Sequence, residues 1–236
     1  MKTQILTKPL RLDHPSVKSV LEIAEEIMNK NKILNIENLY NLAKKRLKIP
    51  RRGLLSIIHF LINKKILVEG SRFSKETVLL NRFRYAILQC IRQNSGAHFS
   101  LIRRVVSSDK ISNLGSSGQL VWHLEMLLKF EYIKKLKVGN YTVFLPYETD
   151  DELGVFIFLL RDVINNKIIR LLTEQGPIKK SEVYKKVNEK RENVYYRIKT
   201  LHDHSLIAEK DDEKNIIFID PDKKEIIINL LNIKRK

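Results

Sequence analysis

Several short clusters carry side chains suited to gripping a polyphosphate. Arg51 and Arg52 follow Pro50, and Arg72 lies twenty residues on. Arg103 and Arg104 are adjacent. Ser116, Ser117 and Gln119 open an apolar segment, and Lys134, Lys135 and Lys137 precede Asn140. Lys190 and Arg191 form a further pair. A guanidinium presents a rigid fork of donors that matches phosphate or the acceptor edge of guanine. Hydroxyls and a carboxamide suit a phosphate backbone or an adenine edge. Lysines two apart on a strand share a face, as Lys135 and Lys137 would. The same clusters also fit solvated helix ends, and lysines on an edge strand deter aggregation.

Charge distribution favours the phosphate reading. The chain has 236 residues, with 44 Lys+Arg against 27 Asp+Glu, a formal net charge of +17. Residues 1–78 carry 16 basic and 7 acidic side chains, net +9. Residues 79–149 carry 10 and 4, net +6, whereas residues 150–236 carry 18 and 16, net +2. A uniformly Lys-rich composition would spread the excess evenly. Concentrated positive charge costs stability by self-repulsion and serves a polyanionic partner.

Catalytic and metal chemistry find little support. Gly115 to Gly118 lacks the Lys-Ser/Thr of a phosphate-binding loop, and no Gly-x-Ser-x-Gly elbow occurs. His202-Asp203-His204 places its histidines at i and i+2, which do not face each other on a helix. The lone Cys90 excludes an intrachain disulfide and reads as a small core residue in a reducing compartment. The longest strongly apolar run, 155–160, is far below the roughly 20 residues of a membrane span. The first fifteen residues lack the apolar centre of a signal peptide. No enzyme, no cofactor, no metal and a cytoplasmic, nucleoid-associated location are the expectations.

The elements that must position the clusters recur about every seventy residues. Apolar residues at i, i+3 and i+9 appear as Ile58, Leu61 and Leu67, again as Leu124, Leu127 and Ile133, and again as Ile198, Leu201 and Ile207. The first two share a helix face, and the third opens the next element. Each copy follows two amphipathic segments: 15–29 and 36–47, then 84–93 and 100–107, then 153–174 and 180–188. Each precedes a β-like stretch with a turn: 132–145 through Gly139-Asn140, 206–219, and a shorter one through Gly70-Ser71. Pro50 suits the first turn of a helix, Asn81 and Ser181 suit caps, and Asp150, Asp151 and Glu152 suit a helix start. Helix, helix, helix, hairpin is the winged helix-turn-helix order. The expected fold is mainly α with small β-hairpins, as three tandem winged-helix domains at 1–78, 79–149 and 150–236, or two plus a divergent helical segment.

The middle copy carries a resemblance. Asn81-Arg82-Phe83-Arg84-Tyr85-Ala86-Ile87-Leu88, Gly96-Ala97-His98-Phe99, Gly118-Gln119-Leu120-Val121-Trp122-His123-Leu124 and Phe130-Glu131-Tyr132-Ile133 occur in this order. This stretch resembles archaeal transcriptional regulators with tandem winged helices, related to the ArsR and MarR groups. The likeness covers about a third of the chain well and 166–203 loosely. The segment 107–117 departs from it, standing where a short turn is usual.

The resemblance implies a transcriptional regulator that places a third helix in the major groove and a wing beside it. Double-stranded DNA is the expected partner, with a homodimer or protein partner expected through the third module. The acidic wing tip Asp211-Asp212-Glu213, which a phosphate backbone would repel, and the apolar run 153–160 point that module toward a protein surface. The alternative is a winged-helix scaffold, of the kind found in ESCRT-II or in RNA-polymerase-associated factors, which has no need of the frontal charge.

Overall fold

The computed structural model describes residues 10–30, 32–108, 117–210 and 213–233. In chain order come α1 (Pro15–Asn29), α2 (Ile36–Arg46), α3 (Arg51–Asn63), α4 (Lys75–Val78) and α5 (Arg82–Gln93). There follow β1 (Ala97–His98), α6 (Phe99–Ser108), α7 (Ser117–Lys129), β2 (Ile133–Val138) and β3 (Tyr141–Pro146). The last part holds α8 (Asp151–Leu159), α9 (Val163–Gln175), β4 (Ile178–Lys179), α10 (Lys180–Val187), α11 (Arg191–Asp203), β5 (Ile207–Lys210), β6 (Glu213–Ile219), a 3-10 turn at Pro221–Lys223, and α12 (Lys224–Ile233). The chain is mainly helical with small antiparallel sheets, an architecture consistent with winged helices. Among the described residues no helix is long and apolar enough to cross a membrane.

Two compact units result, Met1–Leu88 with Val106–Ile133, and Gln89–Val105 with Lys134–Lys236. In the first, α1 turns Val17, Val20, Ile23 and Ala24 inward against Leu39 and Ala43 of α2 and Leu54, Ile58 and Leu61 of α3. Burying each large aliphatic side chain is worth about 1.5–3 kcal/mol. His14 caps α1, its Nδ1 accepting from Ser16 N at 3.2 Å, and Asn35 caps α2, its Oδ1 accepting from Asn38 N at 2.9 Å. In the second unit, α8, α9, α10, α11 and the two sheets enclose one core that includes Phe156, Ile168, Ile198 and Ile217.

The repeat is written into how three helices end. Ile58, Leu61, Leu67, Leu124, Leu127, Ile133, Ile198, Leu201 and Ile207 are all buried. Four residues after Leu61, Leu127 and Leu201 stand Lys65, Glu131 and Ser205, with φ of 53°, 54° and 57°. At each place the next amide closes back on the helix: Ile66 N to Leu61 O at 2.9 Å, Tyr132 N to Leu127 O at 3.0 Å, and Leu206 N to Leu201 O at 2.9 Å. This left-handed closure satisfies a helix-terminal carbonyl and aims the following apolar residue at the core.

A second shared device went unread in the sequence. The two-residue strands β1 and β4 stand just before α6 and α10. Each pairs with the second strand of the following hairpin, giving sheet orders β1-β3-β2 and β4-β6-β5. Ala97 faces Phe144, and Ile178 faces Ile217. Such strands are too short for alternation to mark them.

Several expectations need correction. Among its described residues the first copy has no hairpin: its turn at Gly70 (φ 73°) pairs with the loop before α2, through Gly70 N to Leu34 O and Leu34 N to Ser71 O, both 2.9 Å. Arg72 therefore lies on a turn, not a wing. The expected helix 153–174 is two helices, because Asp162 caps α9 by accepting from Ile164 N and Asn165 N at 2.9 and 3.0 Å. Its apolar run serves the unit's own core through Phe156, Leu159 and Leu160. Pro50 holds the N-cap position of α3 and Ser181 lies inside α10, whose N-cap is Lys179. Helices α4 and α12 were not foreseen; Ser74 and Thr77 close a capping box on α4, and Ile227 and Leu231 anchor α12 in the core. Asn81 and Asp150 do cap their helices, the former accepting from Phe83 N at 3.1 Å and the latter from Leu153 N at 2.9 Å. Cys90 is buried. Asp211, Asp212 and most of the segment 107–117 lie outside the described residues, as do Lys234, Arg235 and Lys236.

Two consequences are measurable. Ser205 is exposed at φ 57°, so Ser205→Val should lower unfolding free energy by about 1–2 kcal/mol while Ser205→Gly should not lower it, read from urea midpoints. At Gly96, with φ 111°, a Cβ would stand 2.4 Å from Leu145 Cδ2. Gly96→Ala should cost about 3 kcal/mol, combining backbone strain with overpacking, and lower the midpoint accordingly.

Candidate nucleic-acid interface

The side chains expected to grip phosphate fall in two sets, one on each unit. In the first unit Arg51 and Arg52 are the first two residues of α3 and both are exposed. Pro50 offers no side-chain cap, so the leading amides of α3 keep no side-chain acceptor. An uncapped helix start beside two guanidiniums favours an anion through both hydrogen bonding and the helix dipole. Ser117 and Gln119 are exposed at the start of α7. Trp122, also on α7, is 50% exposed. Ser116 lies outside the described residues. Arg72 is exposed and borders a cavity of about 710 Å³ whose wall includes Arg84 and Trp122.

Arg84 is a packing residue. It is 2% exposed, and its Nε donates to the Val78 carbonyl. Its guanidinium lies over the Phe73 ring at 4.6 Å and the Trp122 ring at 5.4 Å. Burial lowers its pKa from the usual arginine value. His123 is buried too, stacked on Phe83 at 5.7 Å, and burial first and Arg84 second lower its pKa.

In the second unit Arg103 and Arg104 are exposed on α6. The lysines of β2 lie on its two faces. Lys134 reaches the Asp151 carboxylate, so its charge is already matched. Lys135 and Lys137 are exposed on the opposite face of β2, and Lys137 Nζ donates to Asn140 O at 3.2 Å across the turn. Asn140 is exposed there, next to Gly139 with φ 55°. β2 is the edge of its sheet, so its lysines also block pairing with another chain. Lys190 and Arg191 start α11, again with no side-chain cap, and the Arg191 guanidinium lies 5.1 Å from the Tyr195 ring centre.

Arg197, on α11, is committed to a carboxylate. Its Nε and Nη2 donate to the two Asp162 oxygens at 2.8 and 2.9 Å. Burial raises the Asp162 pKa, yet Arg197 and the amides of Asn165 and Ile164 outweigh it and hold that carboxyl below its ordinary value.

Sequence reasoning missed the concave feature of this unit, a cavity of about 410 Å³ bordered by Arg104, Arg161, Asp162, Asn165 and Arg197. Arg161 donates to the Gly96 carbonyl at 2.6 Å. His98 lies at its edge, 5.4 Å from the Tyr141 ring, its Nδ1 accepting from Leu101 N at 3.3 Å. Burial, with Arg104 and Arg161 after it, lowers the His98 pKa and keeps the ring neutral at pH 7. Arg104, the segment 161–165 and Arg197 lie far apart in sequence, and no pattern there joins them. Among the described residues no group of three or more His, Cys, Asp or Glu could hold a metal ion.

No protein-family model matches the chain. Over 170 residues it is 24% identical to a protein of the archaeon Methanocaldococcus jannaschii named as an HTH-type transcriptional regulator. The aligned stretch covers 71% of this chain and 41% of that relative, so the chain spans less than half of its length.

Proposed function

We propose that the chain is a non-enzymatic, DNA-binding transcriptional regulator made of three winged-helix modules, 1–78, 79–149 and 150–236, acting on double-stranded DNA in the cytoplasm. One observation carries this reading. The third helices of the outer copies, α3 and α11, both begin without a side-chain cap and with exposed arginine in the first turn. By contrast α1, α2, α8 and α9 are capped by His14, Asn35, Asp150 and Asp162, and α10, uncapped as well, has no arginine in its first turn. Open amides with adjacent guanidiniums are what a helix needs to seat on a phosphate backbone before its side chains reach base edges. The frontal excess of positive charge and the archaeal relative's name agree with it. Arg51 and Arg52 would take phosphates, Lys135 and Lys137 would take them from the wing, and Ser117 and Gln119 would approach the duplex from α7. Lys134, matched by Asp151, would contribute less.

A mobility-shift titration with mixed-sequence duplex tests the proposal. The wild-type chain should bind at about 50 mM salt and lose affinity steeply by about 200 mM. R51Q/R52Q should weaken binding to all sequences about equally and flatten the log–log salt slope by about 1.8. K135Q/K137Q should behave alike, and K134Q should change little. Absence of a shift at low salt, or unchanged slopes in both double variants, would overturn the proposal.

A further inference from the structure

We propose that the second unit holds a nucleotide site in the cavity beside α9, accepting a nucleoside monophosphate, either free or as the 5′ end of a single strand. The cavity, about 410 Å³, falls within the range of small-molecule sites. Among the described residues three guanidiniums line it, from Arg104, Arg161 and Arg197, against one carboxylate, Asp162. Arg197 and Asp162 satisfy each other at 2.8 and 2.9 Å. Two positive charges are left over, on Arg104 and Arg161, which a phosphate monoester dianion matches and a monocarboxylate only half matches.

The wall has places for a flat ring and for a polar edge. Tyr141 and Tyr196, 54% and 49% exposed, both border the cavity, as does Phe158, so aromatic faces are available to a base. Asn165, 4% exposed, also lines it. Its Nδ2 donates to Leu159 O at 2.9 Å, and among the described residues its Oδ1 has no hydrogen-bond partner. A buried acceptor left unmet is costly, and a ligand N–H would meet it. The exocyclic amine of adenine or guanine has that chemistry. Phosphate, planar ring and donor together specify a nucleotide.

The test is calorimetric titration of the full chain with 5′-AMP and 5′-GMP, alongside adenosine, ribose 5-phosphate and a 5′-phosphorylated dinucleotide. At least one mononucleotide should bind at least about tenfold more tightly than adenosine and ribose 5-phosphate. Arg104→Gln should weaken nucleotide binding about tenfold and leave adenosine unchanged. Thr200→Trp, which fills the cavity from a half-exposed helix position, should abolish nucleotide binding. Dinucleotide competition identifies a strand end as a source, and its absence identifies free nucleotide; both uphold the site. Equal binding of ribose 5-phosphate and the nucleotides, or wild-type binding by both variants, would overturn it. No duplex enters the titration, so its outcome is separate from that of the mobility shift.

Discussion

The left-handed helix ends at Lys65, Glu131 and Ser205 are the constraint on which the recurring apolar pattern rests. Each takes a residue other than glycine into a backbone region that costs about 1–2 kcal/mol. The chain tolerates this at Lys65, Glu131 and Ser205 because the closure sets the direction in which it leaves the helix. Had the helix run on by one residue, Leu67, Ile133 and Ile207 would each rotate about 100° away from the core they fill. The strain is local, and the apolar burial that depends on it exceeds it.

From that turning point the remaining parts follow. The chain leaves each closure into a hairpin in the last two copies, and the hairpin's second strand finds a partner in the short strand before the second helix. In the first copy the pairing shrinks to two hydrogen bonds between Leu34 and the Gly70–Ser71 turn. Asp162 does comparable work in the second unit. It ends one helix, begins another and fixes Arg197, so a single carboxylate sets both a chain break and the wall of a cavity.

What the sequence made legible was what periodicity records. The nine apolar positions, the helix starts at Asn81 and Asp150, and the Gly139-Asn140 turn all stand as read. The misreadings have physical causes. Val155 to Leu160 joined the following apolar residues into one apparent helix because Arg161 and Asp162 interrupt only two positions of the pattern. Strands of two residues carry no period, so β1 and β4 were invisible. Gly70-Ser71 has the composition of a hairpin turn, but Leu34 takes the hydrogen bonds that a second strand would use. For the site, a count of positive residues could not reveal which were engaged. Lys134 and Arg197 were indistinguishable from their neighbours until their carboxylate partners came into view. Arg161 and Asn165 gave no signal, since their roles depend on groups distant in sequence.

Leu145 ties two distant points together. A Cβ at Gly96 would meet its Cδ2 at 2.4 Å, and a Cβ at Gly154 would meet its Cδ1 at 2.3 Å. The two methyl groups of one leucine therefore hold two positions, fifty-eight residues apart, to the smallest side chain. Across descendants of this gene the three sites should drift as a set: a lineage that trims Leu145 relaxes both glycines at once, and one that enlarges either glycine first must reshape Leu145.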